Sequence, residues 1–520
     1  MNFSTDAQSK EKSWNNILLG CFVLLKLAMQ YFMFADGFEL HRDEYLHLDQ
    51  AHHLAWGYLS VPPVTSWLSY LIYLLGNNIF WVKFFPAIFG VLTVILVWKI
   101  TETLCGALFS RILAAVAVIL SSYLRINTLY QPNSLDILCW TFLLFCLIRF
   151  ISSQKIKWLY WMAIGFAIGF LNKYNICFLV LGLLPVLLIT RQRSIFANKH
   201  FYLAVLLSVL LISPNLIWQY QNDFPIMVHM SELSSTQLVN GSRISFLIEQ
   251  VTFFIPFFFV LVFAFIGLGF YKPFKEYRFL GWMYLFVILL YLFFQGKAYY
   301  VLGVYPVFFA FGAVFLEHLT QRYRKISYYL VCILFIINLM YIPIICPVFS
   351  PERIIKDERI RNLYKKTGQL QWEDGKEHSI PQDYADMVGW SELSGIVESA
   401  CNQLTDEERK QLIILCDNYG QAGAINYYLN PASRAISYSA DYRNWFPEDD
   451  YIIKSLILVK QKNSDWESSL SHIPEHEQLF AKVRLIGTVE NPMAREEGTM
   501  IYLLHDAREG FTVGELKSFR

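Results

Sequence analysis

The chain has 520 residues, of which 55% are hydrophobic, 17% aromatic and only 16% charged, with a formal net charge of +1. Soluble domains carry nearer a quarter charged residues, so an ordinary soluble globule is excluded for most of the length, and a near-neutral chain gives no footing for a nucleic-acid partner. The charge deficit is uneven: residues 1–350 are mostly long apolar runs, while 351–520 have ordinary soluble composition. This predicts a polytopic α-helical membrane domain over 1–350, with an outer loop over 36–78, and a soluble domain over 351–520.

In chain order, the first apolar run is Ile17–Ala35. It is long for a cleavable leader and no small-residue cleavage site ends it, so it reads as the first membrane helix. A spanning helix needs ~20 mainly apolar residues. Further spans are expected at 79–99, 108–124, 135–151, 158–172, 174–190, 201–218, 247–270, 279–295, 299–317 and 327–346, about eleven in all and at most about thirteen. Several are short, and the division around Asn172–Asn175 is open. Alternating sides along these spans, one side collects Lys10, Lys12, Lys99, Arg111, Arg149, Lys155, Lys157, Arg191, Arg193, Lys199, Lys272, Lys275, Arg278, Arg322, Arg324 and Lys325. The other collects Arg42, Arg125, Lys173, Arg243 and Lys297. Cytoplasmic loops retain Lys and Arg, so a cytoplasmic N-terminus and an extracytoplasmic C-terminal domain are expected.

The first outer loop is dense in ionisable groups: His41, Arg42, Asp43, Glu44, His47, Asp49, His52 and His53. A carboxylate at a membrane end is costly without a partner or a task. A helix from Asp43 to Trp56, ended by Gly57, would put Asp43 and His47 on one face. Pro62-Pro63 then opens an amphipathic helix through Trp67, Leu68, Leu71, Ile72 and Leu75, suited to the membrane interface. The string His41-x-Asp43-Glu44-x-x-His47 lacks zinc-protease spacing; His41, Asp43 and His47 are weak candidates for a divalent ion, and a solvated face is the blander reading.

The soluble part alternates helical and strand-like runs, which predicts a small α/β domain. QLIILCDNY reads as a buried strand, AGAINYYL as the following helix, and SLILVKQ and TMIYLLHD as further strands. Of the nine cysteines, seven lie in apolar segments. Cys401 and Cys416 lie in the soluble domain, and without a framework spacing they read as free thiols rather than a disulfide.

The order Asp43-Glu44-Tyr45, Leu54-Ala55-x-Gly57-Tyr58, Pro62-Pro63 and an amphipathic helix resembles the first external loop of the protein O-mannosyltransferase-like superfamily of bacterial glycosyltransferases. That superfamily includes glycosyltransferase family 39 and the aminoarabinose transferases of lipid A, and has the C-type transmembrane fold. NTLYQPNSLDILCW (127–140), GFLNKYN (169–175), NLIWQYQNDFPI (215–226), GKAYYVLGVYPVFFAFGA (296–313), GWSEL (389–393) and DNYGQAGAINYY (417–428) are similar to further family segments, in the same order. The aminoarabinose transferases carry a lysine just before Pro-Pro; here the stretch is Leu59-Ser60-Val61, a departure from that subgroup.

The resemblance implies a polyprenyl-phosphate-linked sugar donor and a lipid, glycan or protein acceptor at an outer membrane face, in the inner (cytoplasmic) membrane of the cell, with membrane lipid around it. No cofactor is required on this reading; a divalent metal is left open. Asp43 is the expected general base, with Glu44 orienting it and Asp136 nearby. Asp136 also reads as a helix N-terminal charge. Lys297, in the short turn Gln295-Gly296-Lys297, with Arg42 and Lys173, would hold the leaving phosphate. Tyr299 and Tyr300 are interface residues or stack on sugar. The acidic pair and these cations are expected to converge at one outer pocket. A transporter or flippase for a lipid-linked sugar is the alternative from another class; it would show repeats and broken mid-membrane helices, and none is evident in the sequence.

Overall fold

The computed structural model describes residues 3–33, 35–236, 242–429, 434–461, 479–507 and 510–518. Two compact units emerge: Met1–Met33, Trp56–Thr65 and Phe80–Cys346 form the first, and Phe34–Ala55, Ser66–Ile79 and Pro347–Arg520 the second. Much of the outer loop, drawn with the membrane domain on composition, is thus grouped with the C-terminal residues.

The first unit is helical. Among the described residues, six helices are long and apolar enough to cross a bilayer, and up to eight if two bent pairs each count as one span. The other expected spans are shorter helices, such as Leu108–Ile119 and Phe279–Phe293. The bend of 68° between Arg243–Thr252 and Ile255–Phe270 falls just before Pro256, which cannot donate the next ladder bond. The break at Asn172–Asn175 is real. Helix Lys157–Asn172 stops, Lys173 is extended, and helix Ile176–Ile189 begins anew. The amide of Asn172 donates to the Pro132 carbonyl at 2.9 Å, so a polar side chain takes up a carbonyl next to the break.

The second unit contains a five-stranded sheet. β1 (Leu412–Cys416), β2 (Ala435–Ser437), β3 (Ser455–Lys460), β4 (Phe480–Thr488) and β5 (Met500–Ala507) lie in the order β2-β1-β3-β5-β4. β1 pairs in parallel with β2 and β3; β5 runs antiparallel to β3 and to β4. β1 is buried throughout, as its unbroken apolar run requires for a strand covered on both faces. β2 and β4 were not expected from the sequence. β2 is only three residues long, and β4 is largely exposed, so neither has a clear apolar pattern. Helices Trp390–Cys401 and Tyr419–Leu429 contribute to one apolar core with β1 and β3, and Leu46 of the first loop belongs to it. Cys401 and Cys416 are both free thiols, Cys416 in this core.

The first loop forms helix Arg42–Asp49 followed by a 3-10 turn, Gln50–His52. It stops short of the expected Trp56. Asp49 is held by Arg434 at 2.6 Å, Asn426 at 2.6 Å and Tyr442 at 2.8 Å, and Gln50 donates to Asp441. The ring of His53 stacks on Trp445 at 4.3 Å with non-helical backbone. These tertiary bonds outweigh continued helix. The helix packs closely on Tyr419–Leu429 because Gly423 has no side chain; a Cβ there would meet Tyr45 at 2.8 Å. The helix expected after Pro62-Pro63 is present as Val64–Leu74, with Trp67, Tyr70, Tyr73 and Leu74 exposed.

Candidate functional site

The expected site residues fall into two polar clusters, one in each unit. In the second unit, Asp43 sits in the first turn of helix Arg42–Asp49. His41 caps that helix: its Nδ1 accepts from the Asp43 backbone N–H at 3.2 Å, and the Glu44 carboxylate accepts from the His41 backbone N–H at 2.7 Å. This is a capping box, so Glu44 is turned onto its own helix start. It is fully buried.

Asp43 is not sealed away; its side chain is 35% exposed. Tyr419, from the turn after β1, donates its hydroxyl to Asp43 Oδ1 at 2.7 Å. The guanidinium of Arg42 lies over the Tyr419 ring, 4.5 Å from its centroid. Burial works against the Asp43 charge, but His41, Arg42 and the Tyr419 bond overcome it and hold the carboxyl below its ordinary pKa. The Arg42 pKa is pushed up: burial opposes its charge, while Tyr419, Asp386, Asp43 and Glu496 favour it. Its Nε is buried without a hydrogen-bond partner among the described residues. Asp386 is itself bonded to Arg495 at 3.0 Å, and its backbone carbonyl accepts from Arg42 at 3.1 Å. Glu496 accepts from Asn418, Gln421 and Thr499.

His47 shares the Asp43 face as expected, and burial lowers its pKa. His41 Nε2 faces Asp383 at 3.5 Å and Asp386 at 3.7 Å. Among the described residues, no group of three or more His, Cys, Asp or Glu side chains is arranged to hold a metal ion.

In the first unit, Asp136, Lys173, Lys297, Tyr299 and Tyr300 come together. Asp136 lies in the second turn of helix Pro132–Ser153, opened by proline in its first turn. Its carboxylate accepts from Trp140 Nε1 at 3.0 Å and from Asn175 at 2.7 Å. Tyr291 donates its hydroxyl to the Asn175 side-chain carbonyl. Lys173 donates to Asn133 at 2.7 Å, and its ammonium lies 4.4 Å and 5.3 Å from the Tyr300 and Tyr299 ring centroids. Such geometry is a cation–π arrangement. Lys297 precedes the 3-10 turn Ala298–Val304 and lies close enough to Lys173 for their charges to interact. Gly296 makes the turn fit, since a Cβ there would meet the Tyr291 ring at 2.5 Å.

Asn133, Tyr291, Asp386 and Glu496 were not singled out from the sequence; Asn175 figured only at a division between two spans, and Tyr419 only within the segment 417–428. The asparagines had a signal, polar amides flanking a lysine between apolar runs. Asp386 and Glu496 had none, being far apart in an ordinary soluble composition.

Residues 60–218 match the family model of dolichyl-phosphate-mannose-protein mannosyltransferase. No curated protein matches the chain by sequence. Among solved structures, the chain is similar to ArnT from Cupriavidus metallidurans bound to undecaprenyl phosphate, at 14% identity and a TM-score of 0.62, over 94% of this chain and 98% of that one. The apo state of ArnT aligns at 12% identity and a TM-score of 0.60, over 95% and 98%. The oligosaccharyltransferase AglB from Archaeoglobus fulgidus, in complex with an inhibitory peptide and a dolichol-phosphate, aligns at 12% identity and a TM-score of 0.49, over 86% and 70%.

Proposed function

We propose, from the premise that this multi-pass chain has the C-type transmembrane fold of the mannosyltransferase-like glycosyltransferases, that it transfers a sugar from a polyprenyl-phosphate donor to a lipid, glycan or protein acceptor. The observation that carries the reading is Asp43: a carboxylate about one-third exposed, held ionised by a hydroxyl donor and neighbouring cations, on a loop that carries the family's motif order.

In the proposed step, one oxygen of Asp43 takes the proton of the acceptor hydroxyl. The acceptor oxygen forms a bond to the sugar's anomeric carbon, and the carbon–oxygen bond to the lipid phosphate breaks. The bonding pair leaves with the polyprenyl phosphate. A direct displacement of this kind inverts the anomeric centre. Lys297 and Lys173 are assigned to the phosphate, where charge accumulates as the bond breaks. Tyr299 and Tyr300 lie against the Lys173 ammonium and are assigned to the donor's sugar. Asp136, with both oxygens bonded, is assigned to positioning: it fixes Asn175 and, through it, the Lys173 segment. Glu44 is assigned to fixing the helix that presents Asp43. Arg42, facing Asp43, Asp386 and Glu496, is assigned to keeping the base charged rather than to the phosphate. The Lys/Arg asymmetry supports a cytoplasmic N-terminus and catalysis on the opposite side of the inner membrane.

The test is turnover of radiolabelled polyprenyl-phosphate sugars by the purified protein with envelope lipid or glycan extracts as acceptor. Transfer to acceptor is expected, and Asp43→Asn is expected to remove it. Movement of label into sealed vesicles with no covalent transfer would replace this reading with the flippase.

A further inference from the structure

We infer that Tyr419, in the C-terminal sheet domain, is a positioning residue for the Asp43 base, so that the turn after β1 belongs to the catalytic machinery rather than to a separate acceptor module. The inference rests on the proposed transferase reading.

The turn is built for presentation. β1 ends at Cys416, and Asn418 Oδ1 accepts from the backbone N–H of Gly420 at 2.9 Å and of Gln421 at 3.1 Å. Gln421 returns the favour by accepting from the Asp417 backbone N–H at 3.0 Å. Asn418 and Gln421 are in turn tied to the buried Glu496. Tyr419 therefore starts its helix from a fixed backbone, with no freedom beyond its own two torsions. Its ring is clamped by the Arg42 guanidinium. Its hydroxyl reaches Asp43 Oδ1 at 2.7 Å. Gly420 lets the clamp close, since a Cβ there would lie 3.2 Å from Arg42 Cβ.

The chemistry follows from where the hydroxyl proton sits. Burial raises the Tyr419 pKa, so the phenol keeps its proton and donates throughout the working range. Asp43 Oδ1 is thereby aimed and partly neutralised, and Oδ2, which lies 3.8 Å from His41 Nδ1, is assigned to the acceptor hydroxyl. Among the charged and titratable groups around Asp43, His41, Arg42 and His47 come from its own segment and Tyr419 and Asp386 from the C-terminal residues; Glu496 faces Arg42.

The test uses Tyr419→Phe, which keeps the ring under Arg42 and removes only the hydroxyl. Two readouts separate the inference from the reading beneath it. The first is the pH dependence of dicyclohexylcarbodiimide labelling of Asp43, followed by peptide mass spectrometry on the full-length protein in detergent. Carbodiimides label the protonated carboxyl, and losing a charge-stabilising hydrogen bond should move the labelling midpoint up by about one pH unit. The second is donor transfer, where kcat is expected to fall about tenfold with KM for the donor unchanged. A labelling curve that coincides with that of the wild type overturns the positioning role, whatever the enzyme does. A shifted labelling curve in a protein that transfers no sugar upholds the contact and overturns the transferase reading. Should Tyr419→Phe not accumulate, Arg42→Lys, which removes the planar clamp and keeps a cation, is expected to raise the same midpoint, and an unmoved midpoint there has the same overturning force.

Discussion

The Asn175 side-chain amide donates to the Asp136 carboxylate at 2.7 Å and to the Tyr300 backbone carbonyl at 2.9 Å. Both of its N–H bonds are used, and its carbonyl accepts from Tyr291. One asparagine thus ties the start of helix Pro132–Ser153 to the break at 173–175 and to the turn after Lys297. Asn175→Leu leaves a buried carboxylate and a carbonyl each short of a donor. Unpaired buried groups cost about 1–3 kcal/mol each, so the variant should melt clearly below the wild type in detergent. Its KM for the donor should rise more than its kcat falls, because the lysine-bearing segment loses its anchor. An unchanged melting curve would remove Asn175 from this role.

The proximity of Lys173 and Lys297 sets a second expectation. Replacing either by methionine keeps most of the apolar stem and removes the charge. A hydrogen bond to a charged group contributes about 1.5–3 kcal/mol, which is roughly a 10- to 150-fold loss in kcat/KM for the donor. Undecaprenyl phosphate as a product inhibitor should weaken in parallel, measured by its inhibition constant. Lys297→Arg should recover part of the loss. Inhibition by the lipid phosphate that is indifferent to both substitutions would move the phosphate elsewhere.

The network around Asp49 bears on stability. Asp49 is buried and accepts from Arg434, Asn426 and Tyr442. Asp49→Ala leaves a guanidinium that is still partly solvated, with its side chain 30% exposed, so the cost should sit at about 3 kcal/mol, the low end for a broken buried pair. Limited proteolysis should then cut within the first loop, at sites near His52 and His53, faster than in the wild type. Tyr442→Phe removes one donor and should have a smaller effect.

How far these arrangements were legible follows from which residues make them. The helices of the first unit announce themselves because burial in lipid demands long apolar runs, and even the break at Asn172–Asn175 carried its polar marker. Lys173, Lys297 and Tyr300 stood out as polar groups in an apolar background. Asp43 stood out through motif order. Its pairing did not: Tyr419 sits in the motif-like segment 417–428, hundreds of residues away, and nothing in that segment says that it reaches Asp43; only the fold brings the two together. The early end of helix Arg42–Asp49 was hidden for the same reason, since Arg434 and Trp445 decide it. The strand β2 is too short, and β4 too exposed, to leave a pattern.

The state of Asp43 gives a pH prediction whose sign is fixed. Burial opposes its charge, but His41, Arg42 and the Tyr419 hydroxyl outweigh burial, so its pKa is below the ordinary value. A base acts in its ionised form, and a depressed pKa keeps that form present across the neutral range. The kcat/KM profile should therefore be level through neutral pH and fall only as pH drops below about 3.9, the unperturbed aspartate value. A histidine base would place the limb near pH 6.5. His47 is the nearby alternative, one helical turn away, and burial lowers its pKa too. The two are distinguished by Tyr419→Phe, which removes a hydrogen bond to Asp43 and none to His47: an acid limb that moves upward in that variant assigns the limb to Asp43. The same linkage reaches stability. The ionised Asp43 contributes fully above its unfolded pKa, and the contribution is lost as pH falls through the folded value. Asp43→Asn should therefore lower the melting temperature at neutral pH, and by less in acid. An equal loss at both would mean that the Asp43 charge has no net favourable partners in the folded chain.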